Sequence, residues 1–305
     1  MARRARKGAV GARLPRLAVA GHVNIDHHLT VDRLPAPDRT AAVLSRHSEL
    51  GGTAANLARA ARSAGLPVAI IARVGPDFPP TYRAVLTRAR IDLSGLETVG
   101  GAATPSCVIA HDPRGGQMTF IDQGPMGDGA RSAPIPERLL GRCRWLHLGT
   151  GDPGYLLRLQ RAARARGLRV ALDPAQEIHY RWDRPTFTAA LRESEVFFGN
   201  EAEAERARTL VGVASVERLT EHVPLVVVTR GARGARAFTR RGKVDAPAHR
   251  RVQVADPTGA GDAFRGGFYA AWLSGERVED SLSAGTRTAA TWLAARHRPP
   301  RRVRP

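Results

Sequence analysis

From residue 143 onward the chain alternates short apolar runs with helix-like stretches, and few folds accept that pattern. The runs Trp145–Leu148, 168–172, 196–198 and Leu225–Thr229 are too short for helices and rich in Val, Leu and Phe. Between them, 153–166, 185–193 and 201–222 read as helices, the last with a break expected near Gly212. Such alternation means βαβ units and a mostly parallel sheet covered on both faces. Ala235–Thr239 and 243–246 then predict a hairpin, and helices over about 260–274 and 278–295 close the chain.

The first half begins the same way. A strand is predicted at 17–21 and a buried strand at 67–74, with a helix over 79–90. Leu57, Ala60, Ala61 and Ala64 fall at i, i+3, i+4 and i+7 after Gly51-Gly52, so a helix lies there, ended by Gly65. Residues 101–125 differ: strands at 106–110 and Gln117–Asp122 flank the turn Asp112-Pro113-Arg114-Gly115-Gly116, with nothing helical between. With part of 22–50 they predict a small sheet outside the main one.

Composition bounds the function classes. Of 305 residues, 43% are hydrophobic, enough for a real core. The formal charge of +19 suggests a nucleic-acid partner, but its location argues otherwise. Residues 1–16 hold six basic side chains and 296–305 hold five, neither with an acid, which leaves +8 for the body. Lys7 and Lys243 are the only lysines, a skew that looks like coding bias as much as a binding surface. The ends are read as a solvated basic extension and an Arg/Pro-rich tail, with no nucleic acid expected. Cys107 and Cys143 sit in strand-like runs without a CxxC, so buried free thiols in a reducing cytoplasm are expected. No stretch of 18 apolar residues exists and Leu17–Gly21 is too short for a signal peptide core; neither a membrane span nor secretion is expected. His27-His28 after the first strand reads as surface rather than metal site.

In an open α/β sheet, ligands bind beyond the carboxyl ends of the strands. Asp26, Asp173, Asn200 and Thr229-Arg230-Gly231 are predicted there. The most specific segment is Asp256-Pro257-Thr258-Gly259-Ala260-Gly261-Asp262. Its glycines precede a helix, whose first turn offers unpaired N–H groups and the positive end of the dipole, a ready anion site. An acid there, Asp262, could accept a hydroxyl proton beside a bound phosphate. An ordinary first-turn acid is the other reading.

Asp256–Asp262 followed by Ala263-Phe264-Arg265-Gly266-Gly267-Phe268 resembles the C-terminal signature of the ribokinase (PfkB) family. Gly51-Gly52-Thr53-Ala54-Ala55-Asn56-Leu57-Ala58 resembles its N-terminal signature. Gly21-His22-Val23-Asn24-Ile25-Asp26, Val74-Gly75-Pro76-Asp77, Asn200-Glu201-Ala202-Glu203 and Val228–Gly234 follow in family order across about 17–295. The resemblance implies a three-layer α/β/α kinase domain over 17–295, with a small β-sheet lid from about 22–50 and 101–125. It implies ATP and Mg²⁺, leaves room for a monovalent cation, and implies a homodimer through the lid.

Roles carry over position by position. Asp262 would be the catalytic base, and the N–H groups of Gly259, Ala260 and Gly261 the anion hole. Asn24, Asp26, Gly52 and Asn56 would hold sugar hydroxyls. Asn200 and Glu203 would place Mg²⁺ and the ATP phosphates, Glu203 through water; Asn200 also suits a helix N-cap. Thr229, Gly231 and Gly234 would line the nucleotide site. The runs 147–153, 173–176 and 119–124 are similar to those of archaeal broad-specificity nucleoside kinases and actinobacterial adenosine kinases within the family. On that basis the substrate is read as a nucleoside phosphorylated at its 5′-hydroxyl, with Gln123, Gln176 and Arg265 on the substrate or phosphate side. A solvated helix face is the other reading of Arg265, and a loop residue that of Gln176. Phe120 suits either base stacking or a lid core. Pro80 stands where the family often has Gly, and the chain lacks a further closing helix near the adenine site. A sugar or sugar-phosphate kinase, or a non-catalytic nucleic-acid-binding protein on a kinase scaffold, remain the alternatives.

Overall fold

The computed structural model describes residues 16–249 and 257–296. A nine-stranded sheet forms its centre. Five parallel strands alternate with helices as expected: β1 (Leu17–Ala20), β8 (Trp145–Leu148), β9 (Arg169–Leu172), β10 (Val196–Asn200) and β11 (Leu225–Thr229). β4 (Val68–Val74) and β5 (Asp92–Thr98) extend it parallel on one side, and the hairpin β12 (Ala235–Thr239) and β13 (Gly242–Ala246) antiparallel on the other. The order is β13-β12-β11-β10-β9-β8-β1-β4-β5. The strand β5 has no counterpart in the sequence reading. Its residues Asp-Leu-Ser-Gly-Leu-Glu-Thr carry neither a clean alternation nor a β-branched run, and only pairing with β4 makes them a strand.

Helices cover both faces. On one side lie α1 (Thr53–Ser63), α7 (Ala260–Trp272) and α8 (Val278–Arg296); α2 (Pro80–Arg88) packs beside β5; α3 (Glu137–Leu140), α4 (Pro153–Arg164), α5 (Arg184–Arg192) and α6 (Glu201–Val211) belong to the second core. Local chemistry sets their ends. The carboxylates of Asp152 and Asp183 cap α4 and α5, each accepting from the N–H three residues on. Gly212, with φ +84°, ends α6, so the long helix breaks where expected. The α7 segment Ala263–Tyr269 is buried on every side, because α1 and α8 flank it.

Residues 22–51 and 106–122 build a separate four-stranded sheet, ordered β3 (Val43–Gly51), β2 (Asn24–Val31), β6 (Ser106–His111), β7 (Gln117–Asp122). β2 and β6 pair parallel, and both outer pairs are antiparallel. Cross-strand register puts Asp26, Glu49, Cys107 and Ile121 on one face, and His27, Ser48, Val108 and Phe120 on the other.

Three expectations need correcting here. Cys107 lies on β6, but Cys143 lies in the turn before β8, where its thiol donates to Leu139 O; both thiols are free and buried. His28 is not a surface residue: it is 4% exposed, stacked on His47 at 4.7 Å, with Glu49 at 3.2 Å. Its neighbour His27 bonds Ser48 Oγ at 2.8 Å. Phe120 is 59% exposed and faces away from Asp26, so it neither fills a lid core nor stacks over the site. The expectations for 1–16 and 296–305 fall outside the described residues, Arg16 and Arg296 apart, as does Asp256.

Candidate active site

The carboxyl ends of β1, β8, β9, β10 and β11 share one edge of the sheet, and the predicted residues gather along it. Gly52 caps α1 with φ +91°, and a Cβ there would fall 2.4 Å from His22 O. That contact demands glycine and presses the start of α1 against the root of β2. Asp26 lies on β2 with its carboxylate over Gly51, so close that a Cβ on Gly51 would overlap it. Asn24, Asp26, Gly52 and Asn56 are thus brought together.

One turn along α1, Asn56 Nδ2 donates to Asp262 Oδ2 at 3.3 Å. Asp262 stands in the first turn of α7. Gly259, at φ +76°, makes the turn possible, and Trp292 Nε1 donates to Thr258 O at 3.4 Å behind it. The Asp262 side chain is only 13% exposed. Burial raises its pKa to about 7, against the pull of the Arg265 charge. The anion turn differs in one respect from the expectation: the Ala260 N–H donates to Pro257 O at 3.1 Å. The Gly259 and Gly261 amides keep their expected places in the turn, and Asp262 adds a third amide at the start of α7.

Of the two readings of Arg265 one falls, and Gln176 keeps its loop reading. Arg265 is no solvated helix face; it is 5% exposed, and its Nε and Nη2 both lie against Asp173. Its Nη1 sits 3.9 Å from Asp262 Oδ1 and against Gly261. Gln176 is exposed, and the buried group in its segment is the next residue, Glu177. Glu177 Oε2 accepts from Gly151 N–H at 2.7 Å, and burial raises its pKa to about 7. His22 lies 3.9 Å from Glu177 and 2.7 Å from Thr150 Oγ1; burial lowers its pKa to about 4. Gln123, at the end of β7, donates to the Tyr180 hydroxyl at 3.2 Å. The sequence reading gave no role to His22, His147 or Glu177, because nothing in their spacing says what they will face.

On the other side, Asn200 and Thr229 are register partners at the ends of β10 and β11. Gly234, at φ +86°, packs against the backbone of 246–248, while Gly231 opens to solvent. Asn200 is the N-cap of α6 in a capping box: its Oδ1 accepts from Glu203 N–H at 2.9 Å, and Glu203 Oε2 accepts from Asn200 N–H at 2.7 Å. Among the described residues no group of three metal-ligating side chains gathers. The hard carboxylate of Glu203 fits a Mg²⁺ that arrives on phosphates and keeps its water, and the Asn200 oxygen, with one lone pair used in the cap, has another left.

A family model described as "pfkB family carbohydrate kinase" matches residues 14–296. This chain belongs to the pfkB carbohydrate kinase family. The kinase is therefore a phosphotransferase with an alcohol group as acceptor. It is similar to a nucleoside kinase of Methanothermobacter thermautotrophicus, 31% identical over 85% of this chain and 83% of the relative. An ATP-dependent ribose-1-phosphate kinase of Halopiger xanaduensis is 31% identical over 88% of each. The crystal structure of the Methanocaldococcus jannaschii nucleoside kinase superposes with a TM-score of 0.81 at 26% identity, covering 93% of both chains. The ribokinase-like fold follows. No described helix of the kinase is long and apolar enough to cross a membrane.

Proposed function

We propose that this kinase transfers the γ-phosphoryl group of ATP to the 5′-hydroxyl of a nucleoside, with Asp262 as the base. The observation that carries the acceptor chemistry is a pair of buried oxygens, Asn24 Oδ1 and Asn56 Oδ1, with no hydrogen-bond partner among the described residues. Buried acceptors without donors cost free energy, so a ligand rich in hydroxyl donors would satisfy them. They flank Asp26 on one side and Asp262 on the other, the arrangement a bound sugar needs. Asp262 removes the hydroxyl proton as the oxygen attacks. The amides of Gly259, Gly261 and Asp262, at the positive end of α7, hold the charge of the transferring group. Glu203 would help hold, through water, a Mg²⁺ that arrives on the ATP phosphates, and that ion would supply neutralisation of their charge. Thr229, Gly231 and Asn200 lie on the nucleotide side.

A sugar phosphate such as ribose 1-phosphate is the second acceptor class that the relatives suggest. It calls for a free cation beside the sugar. The buried cation of the site, Arg265, is held by Asp173, and Arg181, near Glu177, is paired with Asp128 and Asp152. Charge pairing therefore favours an uncharged nucleoside. The small sheet, carrying Asp26 on the face turned to the site, is proposed as a lid that excludes water on closure.

The test is ATP consumption with purine and pyrimidine nucleosides, ribose, hexoses and ribose 1-phosphate, beside an Asp262→Asn control. Turnover on nucleosides, falling about 10²–10⁴-fold in the variant, is the expected result. Turnover on sugar phosphates alone would remove the nucleoside, and an active Asp262→Asn variant would remove the base.

A further inference from the structure

Behind Asp262 runs a chain of buried polar groups from three elements. Arg265, one turn along α7, lies between Asp262 and Asp173, which follows β9. Asp173 is 2% exposed and also meets His147 Nε2, on β8, at 3.2 Å. His147 Nδ1 lies 3.0 Å from the hydroxyl of Tyr269, two turns along α7 from Asp262. Burial keeps His147 neutral and Tyr269 protonated, offset at His147 by Asp173. The hydrogen bonds then run one way: Tyr269 O–H donates to Nδ1, and Nε2–H donates to Asp173. Burial alone would raise Asp173, but Arg265 and His147 outweigh it and hold the carboxylate below its ordinary value. Glu203, raised by burial, is the remaining charge-bearing group nearby.

A guanidinium this close to the base has two extreme options. Fully paired with Asp262 it would quench the base, because a carboxylate bonded through two N–H groups loses basicity. Removed, it would leave Asp262 in a dry site facing Asp173 and Glu203, protonated well above neutrality. The observed geometry lies between. Asp173 engages two of the three guanidinium nitrogens and leaves only Nη1, too far from Asp262 Oδ1 for a hydrogen bond.

We propose that Asp173 and Arg265 form a positioning pair: Asp173 tethers the guanidinium so that its charge keeps Asp262 ionisable while its hydrogen bonds go elsewhere. His147 and Tyr269 orient Asp173 from behind. Neither member of the pair touches substrate; they act through Asp262. The inference rests on Asp262 being the base, and that premise is tested separately by the Asp262→Asn variant.

The measurement is the pH profile of kcat/KM for the nucleoside, from pH 5 to 10, in the full-length enzyme. Arg265→Gln moves the acid limb up by about one to three pH units, the usual effect of losing an opposite charge at this range. Asp173→Asn moves it down, because an anion is lost and the freed guanidinium can swing onto Asp262; its plateau rate falls while KM for the nucleoside holds. Arg265→Lys keeps the charge and stays near the wild-type limb. Opposite shifts in the two neutral variants sustain the pairing. Limbs that do not move, or move together, overturn it, and so does a uniform rate loss in Arg265→Gln, which would instead mean direct contact with phosphate. Should Arg265→Gln not fold, the direction of shift in Asp173→Asn decides alone: downward sustains the pair, unmoved or upward overturns it.

Discussion

Asp262 has the chemistry of a base that burial has made strong. With a pKa near 7 instead of the ordinary 3.8, it binds a proton in the folded state that the unfolded chain releases. The sign of its effect on stability follows. Below about pH 3.8 both states are protonated and nothing is lost; between 3.8 and 7 the folded state holds more protons, so its advantage shrinks as pH rises. Asp262→Asn removes that slope. We expect the unliganded variant to gain stability over wild type as pH rises from 4 to 8, levelling above about 7, by on the order of a few kcal/mol. Thermal melts of both proteins across that range check it. A variant whose advantage does not grow with pH would mean that Asp262 is not strained in its ionised form. Asp262 was legible beforehand because two glycines, a helix start and an acid follow in seven residues. His147 and Asp173 were not legible as partners of Arg265, because β8, β9 and α7 meet only in space.

At the scale of elements, the packing of α1 on α7 sets the distance between Asn56 and Asp262. The helices approach at Gly266, where a Cβ would lie 2.7 Å from both Ala60 Cβ and Ala61 N. A methyl there must push the backbones apart. Gly266→Ala should cost about 1–3 kcal/mol, as overpacking of tight cores does, and should lower kcat by lengthening the Asn56–Asp262 bond. Chemical denaturation and steady-state kinetics read the two effects; a variant as stable as wild type would show that the helices give way freely. Periodicity announced both helices, yet it could not give Arg265 its surroundings. A helix face reads as solvated when it carries a charge, and α7 has no solvated face there, since α1, α8 and the sheet enclose it. The strand β5 was missed for a related reason, its residues being polar and its strand character supplied by β4.

For the whole molecule, the second sheet leaves apolar side chains in water. Met118 is 38% exposed and Phe120 59%, on the face carrying Val108 and Ala110 and turned away from Asp26. Exposed patches of this kind mark association surfaces. We propose that a second copy of this chain covers it, making a dimer through the lids. Light scattering at micromolar concentration should give twice the chain mass, and Phe120→Glu should give the monomer; a wild-type monomer would end the idea. Arg-rich composition decided nothing at this scale, since much of that charge sits at the two ends of the chain.

The sequence by itself determined the α/β class, the order of most elements, and the two signatures that place Asn56 and Asp262 in the family. Those are local properties, carried by hydrophobic period, glycine turns and helix starts, which need no knowledge of what lies opposite. Only the tertiary structure decided that the Ala260 N–H is engaged by Pro257 O, that Asn200 is engaged as a cap, that Phe120 looks outward, and that Arg265 is tethered to Asp173. Each of these depends on distance between residues far apart in the chain, and burial then multiplies the electrostatic consequence of every ångström.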